Sequence, residues 1–178
     1  MSHQVVRVVP SHLVTISPFS MHSVAASLGS IGAPASSALG VANKAWFIPF
    51  RLSVPVLAQK LSWANGTTVN GNTDMGIYTY DGVRLVSTGS TVQTGASAIQ
   101  TVDIADTPLG PGLYYLALAT SSSTATYRRS TLATLSLARV LGIFMQLSAF
   151  ALPATATFAT ADAAPYIANH FISARTVV

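Results

Sequence analysis

The sequence predicts an all-β fold, an antiparallel β-sandwich or jelly roll preceded by an extended N-terminal arm. Two observations predict the sandwich and a third the arm. From Lys44 onward, runs of six to nine residues rich in aromatic and β-branched side chains follow one another closely. Turn signals separate them, at Asn65-Gly66, Asn70-Gly71, Asp81-Gly82 and Leu109-Gly110-Pro111-Gly112. Ahead of them lies a stretch with no charge between Arg7 and Lys44, much of it small residues broken by Gly and Pro.

That stretch, residues 1–42, cannot bury enough apolar surface to fold by itself. Two short β-prone runs, Val5 to Val9 and Leu13 to Ile16, are separated by Pro10 and closed by Pro18, and SVAASLGSIGAPASSALG follows at 23–40. Val14, Ile16, Phe19 and Met21 are large apolar residues of the kind a solvated linker avoids, so the expectation is an arm that becomes ordered on a neighbour. The sandwich domain is assigned to residues 43–178.

AWFIPFRL (45–52) and PVLAQKLSW (55–63) read as strands, with Pro49 and Pro55, which have no N–H for a ladder, marking a sheet edge or bends between sheets. In the second run Trp63 follows Leu57, Gln59 and Leu61 by twos, which puts the four on one face. TDMGIYTY (73–80) and VRLVSTG (83–89) flank Asp81-Gly82, which suits a two-residue type I′ hairpin pairing Tyr80 with Val83, Thr79 with Arg84, Tyr78 with Leu85 and Ile77 with Val86. Tyr78, Tyr80, Val83 and Leu85 then form the core face. AIQTVDI (98–104) is the next strand, after which Asp106 begins a turn before Pro108. GLYYLALAT (112–120) is apolar on both faces and should be a central strand. SSSTAT (121–126) is a polar loop. In TLATLSLARVLG (131–142), Leu132, Leu135 and Arg139 suit a short helix ended by Gly142, although the Thr and Val content also suits a strand. A small-residue connector after Pro153 leads to YIANHFIS (166–173), a last strand placed to complete a sheet begun far earlier.

Composition narrows the chemistry. At 178 residues the chain has room for one domain with an arm. There is no cysteine, and the five acids are Asp74, Asp81, Asp103, Asp106 and Asp162, so disulfides, thiolate chemistry and paired glutamates are excluded. No G-x-S-x-G elbow occurs, and no catalytic residue is assigned. The sequence pI of 9.8 comes from scarce acid rather than from a basic patch. The nine Lys and Arg are scattered, with Arg128-Arg129 the sole adjacent pair, so nucleic acid is not an expected partner. MSHQVVRVVP has no continuous apolar core of a secretory signal, which predicts synthesis in the cytoplasm. VLGIFMQLSAFAL (140–152) is only 13 residues long, against about 20 for a bilayer span, and reads as core or interface.

Neither metal nor cofactor is expected. His3, His12, His22 and His170 lack the spacing of a helical metal pair, and Asp103 with Asp106 offers two ligands where calcium takes about six to eight. Asp74 is placed to pair with an arginine across strands. Trp46, Trp63 and tyrosines 78, 80, 114, 115 and 127 form core or, less readily, a stacking platform for sugar rings. For such a platform, the loops carrying Asn65, Asn70 and Tyr127 would supply the polar contacts.

The run SPFSMHSVAASLG (17–29), the long segment NKAWFIPFRL to VSTGSTVQ (43–93) with GIYTYDGVRL inside it, IQTVDIADTPLGPGLYYLALA (99–119) and FALPATATFAT (150–160) together resemble small structural proteins of tailed bacteriophages and prophages. The resemblance covers most of the chain and implies a jelly-roll or sandwich subunit of a virion, in contact with major capsid or tail proteins. It carries no catalytic residue with it.

The surface argument points the same way. A diffusing domain of this size keeps about a quarter or more of its surface charged, whereas this chain has 14 charged residues in all. Ala, Ser and Thr make up 67 of the 178. Such an exterior suits burial against copies of itself or a lattice. The expectation is therefore a noncatalytic virion subunit, a capsid decoration or head-fibre protein made in the host cytoplasm. It would form a homo-oligomer, a trimer, docked through its arm, with Val14, Ile16, Phe19, Met21, Ile143, Phe144 and Phe150 at the assembly interface. The alternative is a carbohydrate- or receptor-binding module of a tail or head appendage.

Overall fold

In the computed structural model, residues 13–16, 35–132, 134–160, 166–168 and 170–176 are described. The strands are β1 (Leu13–Ile16), β2 (Ala35–Ala38), β3 (Lys44–Leu52), β4 (Val56–Ala64), β5 (Asn72–Thr79), β6 (Arg84–Ser87), β7 (Thr91–Val92), β8 (Ile99–Leu109), β9 (Gly112–Thr120) and β10 (Thr126–Thr131). A helix, α1 (Leu135–Val140), precedes β11 (Phe144–Gln146), β12 (Ala159–Thr160), β13 (Tyr166–Ala168) and β14 (His170–Thr176). They form a large sheet in the order β12-β11-β3-β9-β5-β6, with β7 also on β5, a sheet β1-β14-β4-β8 and a short sheet β13-β10-β2. The pairings are antiparallel, as a sandwich requires. The run Val5 to Val9 lies outside the described residues.

The main core lies between the large sheet and the other two. Trp46, Ile48, Phe50, Met75, Ile77, Leu116 and Leu118 from the large sheet meet Val56, Leu61, Trp63, Leu109 and Ile172 from the four-stranded sheet and Tyr127 from the short one. β9 is central, between β3 and β5, and is buried on both faces as its sequence predicts. The C-terminal strand β14 sits between β1 and β4, so the last strand does complete a sheet entered earlier.

Prolines mark where ladders stop. β11 pairs with β3 only from Ala45 to Phe47, two residues short of Pro49, so the proline faces a ladder on the β9 side alone. Pro55 lies in the bend that carries the chain from the large sheet to β4.

The structure corrects four local expectations. In β4 the buried apolar residues are Val56 and Ala58, then Leu61 and Trp63, because a bulge between Ala58 and Lys60 shifts the pairing. Leu57 and Gln59 therefore lie opposite to Trp63 rather than beside it, since one extra residue reverses every later side chain. The same irregularity keeps Asp106 inside β8, where it accepts from Gln59 Nε2, and not at a turn.

The hairpin after β5 also differs. The Thr79 N–H donates to Val83 O and the Gly82 N–H to Thr79 O, with φ of +90° at Gly82 alone of the two turn residues. This is a three-residue loop with glycine in the left-handed position, and its bulge shifts the register so that Tyr78 pairs with Arg84. Ile77 and Val86 remain partners. The core face is accordingly Ile77 and Tyr78, each buried on its own side of the sheet, while Tyr80, Val83 and Leu85 are exposed.

The fourth correction concerns the arm. β2 pairs with β10, and Leu39 just after it is 2% exposed in the main core, so the sandwich begins before residue 43. α1 forms where a helix is expected. Thr134 caps it by accepting the Leu137 N–H, and Gly142, at φ of +67°, ends it.

Candidate interaction surface

The large sheet has a second apolar face, pointing away from the main core, and alternation determines what it carries. Since Trp46, Ile48 and Phe50 point inward, Ala45, Phe47, Pro49 and Arg51 of β3 point outward. On β9 the outward set is Leu113, Tyr115, Ala117 and Ala119, and on β5 it includes Asp74, Gly76 and Tyr78. Phe144 of β11 joins them.

Residues 149–158 cross part of this face as a strap. Ala149, Phe150, Leu152, Ala156 and Phe158 pack on Phe47, Tyr78, Tyr115 and Ala117. The aromatic rings interlock edge-on and tilted, Phe47 with Tyr78 at 5.2 Å, Phe47 with Phe158 at 5.2 Å and Tyr115 with Phe158 at 4.7 Å between centroids. Gly76 makes room for the strap, since a Cβ there would stand 3.1 Å from Leu152 Cδ1 and 3.0 Å from Val86 O.

Polar groups fasten the strap to the β5–β6 hairpin. Asp74, fully buried, accepts the Leu152 N–H at 2.9 Å through Oδ2 and the Thr88 hydroxyl at 3.3 Å through Oδ1. Arg84 donates from Nη1 to the Leu152 carbonyl, and its backbone N–H donates to Ala154 O at 2.9 Å. The Tyr78 hydroxyl donates to Pro153 O at 2.6 Å, and the Ala156 N–H to Gly82 O at 2.8 Å. Burial raises the Asp74 carboxyl above its ordinary 3.8, with the Leu152 bond, the Ser87 and Thr88 bonds and the Arg84 charge pulling the other way. Burial likewise pushes the Tyr78 phenol upward. Asp74 does have an arginine nearby, but its closest contacts are to the strap backbone.

Beyond the strap the face is open. Tyr80 is 59% exposed and stacks on Tyr115, with centroids 5.9 Å apart and rings inclined by 16°. Leu113 is 49% exposed, and Arg51, its register partner on β3, is exposed too. Asp81 is exposed at the hairpin tip beside Tyr80.

The opposite end of the sandwich holds the loops expected to contact sugars, and the structure does bring them together, through a bridge between Asn65 and Tyr127. It also buries both. Asn65 Nδ2 donates to Thr94 O at 2.6 Å, and Asn65 Oδ1 accepts from Gln93 Nε2 at 2.9 Å. The Tyr127 hydroxyl shares a 2.6 Å hydrogen bond with Thr73 Oγ1 and is raised in pKa by burial. Both side chains hold the loops in place and are not free to meet a ligand. Asn70 is exposed and donates to Thr124 Oγ1 at 2.8 Å.

Of the expected assembly residues, Ile143 is 1% exposed in the main core, which removes it from any interface. Phe144 and Phe150 are half-buried on the outer face. Val14 and Ile16 lie in β1, paired with Ala174 and Ile172 of the same chain, whereas Phe19 and Met21 lie outside the described residues. His3, His12 and His22 also lie outside them, and His170 is buried. Asp103 is bound to Lys60 Nζ at 2.7 Å. Among the described residues no three His, Cys, Asp or Glu gather as a metal site, and no helix is long and apolar enough to cross a membrane. Sequence reasoning missed Arg51 and Leu113 as surface residues. The signal was their alternation with Phe47 and Tyr115, hidden by the equally apolar inner face.

No family model, curated protein or solved structure matches this chain.

Proposed function

We propose that the protein is a noncatalytic structural subunit of a bacteriophage virion, a capsid decoration or head-fibre protein that docks onto capsid or tail proteins through its N-terminal segment and works as an oligomer. The observation that carries this reading is the surface. Fourteen charged residues serve the whole chain, and Val54, Tyr80, Val83, Leu85, Ile99, Leu113, Val140 and Leu147 are all substantially exposed. Apolar groups scattered over a weakly charged exterior favour contact with protein over contact with water. The uncharged segment between Arg7 and Lys44, with Phe19 and Met21 within it, supplies an apolar docking element.

The test is mass spectrometry of heads and tails separated from purified particles. The protein should appear in stoichiometric amount in one fraction. Its absence from both overturns the reading. Loss of residues 1–34, which spares β2 and everything after it, should abolish incorporation while the sandwich remains folded.

The carbohydrate-binding reading keeps one observation in its favour, the exposed Tyr80 ring held flat against Tyr115, since the apolar face of a sugar stacks on such a ring. Glycan-array binding that is lost in Tyr80→Ala would favour it.

A further inference from the structure

We propose that Asn70 is a site of spontaneous deamidation, reached through its neighbour Gly71, and that the fold withholds the same reaction from Asn65 in an identical Asn-Gly pair.

The chemistry sets the requirements. The backbone nitrogen of the following residue, once it has given its proton to base, attacks the asparagine Cγ. A C–N bond closes a five-membered succinimide, while Nδ2 takes up a proton and leaves as ammonia. Water then opens the ring at either carbonyl, which yields aspartate or, where the main chain becomes routed through the side chain, isoaspartate. One water is taken up and one ammonia lost, with no oxidation or reduction. Asparagine is thermolabile for this reason, and a following glycine, having no Cβ, lets the nitrogen come close. Beyond that glycine, base and water must reach the pair, and both reacting groups must be released from other bonds.

Asn70 meets all of these conditions, whereas Asn65 meets only the first. Asn70 is exposed, and among the described residues its side chain makes one hydrogen bond, from Nδ2 to the exposed Thr124 Oγ1 at 2.8 Å. Gly71 sits at φ of +67°, where a Cβ would also stand 2.8 Å from Ser121 Oγ, so the fold itself keeps a glycine beside Asn70. Asn65, by contrast, is wholly buried. Its Nδ2 donates to Thr94 O at 2.6 Å and to Gly95 O at 3.2 Å, and its Oδ1 accepts from Gln93 Nε2 at 2.9 Å. The nitrogen that would attack it is engaged as well, since the Gly66 N–H donates to Thr126 O at 2.9 Å. Gly66 is packed so closely that a Cβ would stand 2.3 Å from Ser36 Oγ. Ring closure at Asn65 would break these contacts inside the fold.

The product matters because of where it forms. The loops 65–72, 88–98 and 121–126 are tied together by Asn70 with Thr124, Asn72 with Ser90 and Asn65 with Thr94, and none of them carries a charged residue. Deamidation puts a carboxylate into this neutral end of the sandwich. Gln93 also grips both sides of the reacting linkage, its Oε1 accepting the Asn70 N–H at 2.9 Å and its own N–H donating to Gly71 O at 3.0 Å. Isoaspartate inserts one more carbon between those two bonds and loosens the clasp. The reaction needs only the folded chain and water, so it stands apart from the virion reading.

The experiment holds the full chain in mildly alkaline buffer, folded and in parallel in urea, followed by peptide mapping with fragmentation mass spectrometry to resolve the two positions. Isoaspartyl methyltransferase serves as the probe for isoaspartate in each peptide. In the folded chain the mass gain of amide-to-acid exchange should accumulate at position 70 about tenfold or more faster than at position 65, where reaction waits on local opening. In urea the two positions should convert at comparable rates. Asn70→Gln should remove the mass gain and the methyl acceptance from the peptide that carries the position, because the longer side chain closes a ring less readily. No conversion at 70, equal conversion at both positions in the folded chain, an Asn65 that stays slow in urea, or signals that survive in Asn70→Gln each overturns the proposal.

Discussion

Asp74 shows what a single residue does in this fold. Its carboxyl is buried against the strap and its pKa is raised above 3.8, so between that value and the raised one the folded chain holds a proton that the unfolded chain has released. Asp74 therefore contributes stability that is fully present below pH 3.8 and is lost as pH rises through the folded pKa. Urea unfolding at a series of pH values should show this decline, and Asp74→Asn should flatten it. The same variant should cost about 1–3 kcal/mol, because an amide cannot accept from both Leu152 and Thr88. Tyr127→Phe should cost about 1 kcal/mol by leaving the buried Thr73 hydroxyl without its partner, again read from urea unfolding. Neither role is legible in the sequence. Thr73 lies 54 positions from Tyr127, and Leu152 lies 78 from Asp74, so only the folded topology discloses these partners.

Among elements, the strap depends most on a close approach. Gly76→Ala would force Leu152 and the β6 backbone apart, for a cost of about 1–3 kcal/mol. Hydrogen exchange should quicken at the Leu152 and Ala156 N–H groups while β9 stays protected, since those two bonds fasten the strap. Equal loss in β9 would show that the strap is no separable unit. Element existence was largely readable in the sequence: all six runs from AWFIPFRL to GLYYLALAT form strands and the helix forms, while the final run divides into β13 on the short sheet and β14 on the four-stranded one. Faces were less readable. The bulges at Ala58/Lys60 and Ile77/Tyr78 reverse the side-chain alternation, and no local residue preference marks them. β10 was not among the expected strands: Arg128 and Arg129 interrupt the apolar pattern, and its buried residues Tyr127 and Ser130 stand three apart, so no clean alternation marks it.

For the whole molecule, the boundary between arm and sandwich has measurable consequences. Loss of residues 1–34 removes β1 from a sheet edge and should leave cooperative unfolding in place. Loss of 1–42 also removes β2 and the buried Leu39, and should cost at least about 2–5 kcal/mol more. The scarcity of charge was plain in the composition, yet the position of the apolar surface was not. The greasy stretch from 140 to 152 spends most of its large side chains inside its own fold, with Val140 and Leu147 exposed, while Tyr80 and Leu113 on the outer side of the large sheet stand exposed. A strand buried on both faces of a sheet gives no hint of which end its cover leaves bare.

The central claim is that this weakly charged exterior is built to face other protein. Sedimentation velocity of the intact wild-type chain over a dilution series from about 100 μM to about 1 μM tests it most directly. The account predicts association that strengthens with concentration and reaches a defined assembly. A single monomeric species throughout the series would contradict it.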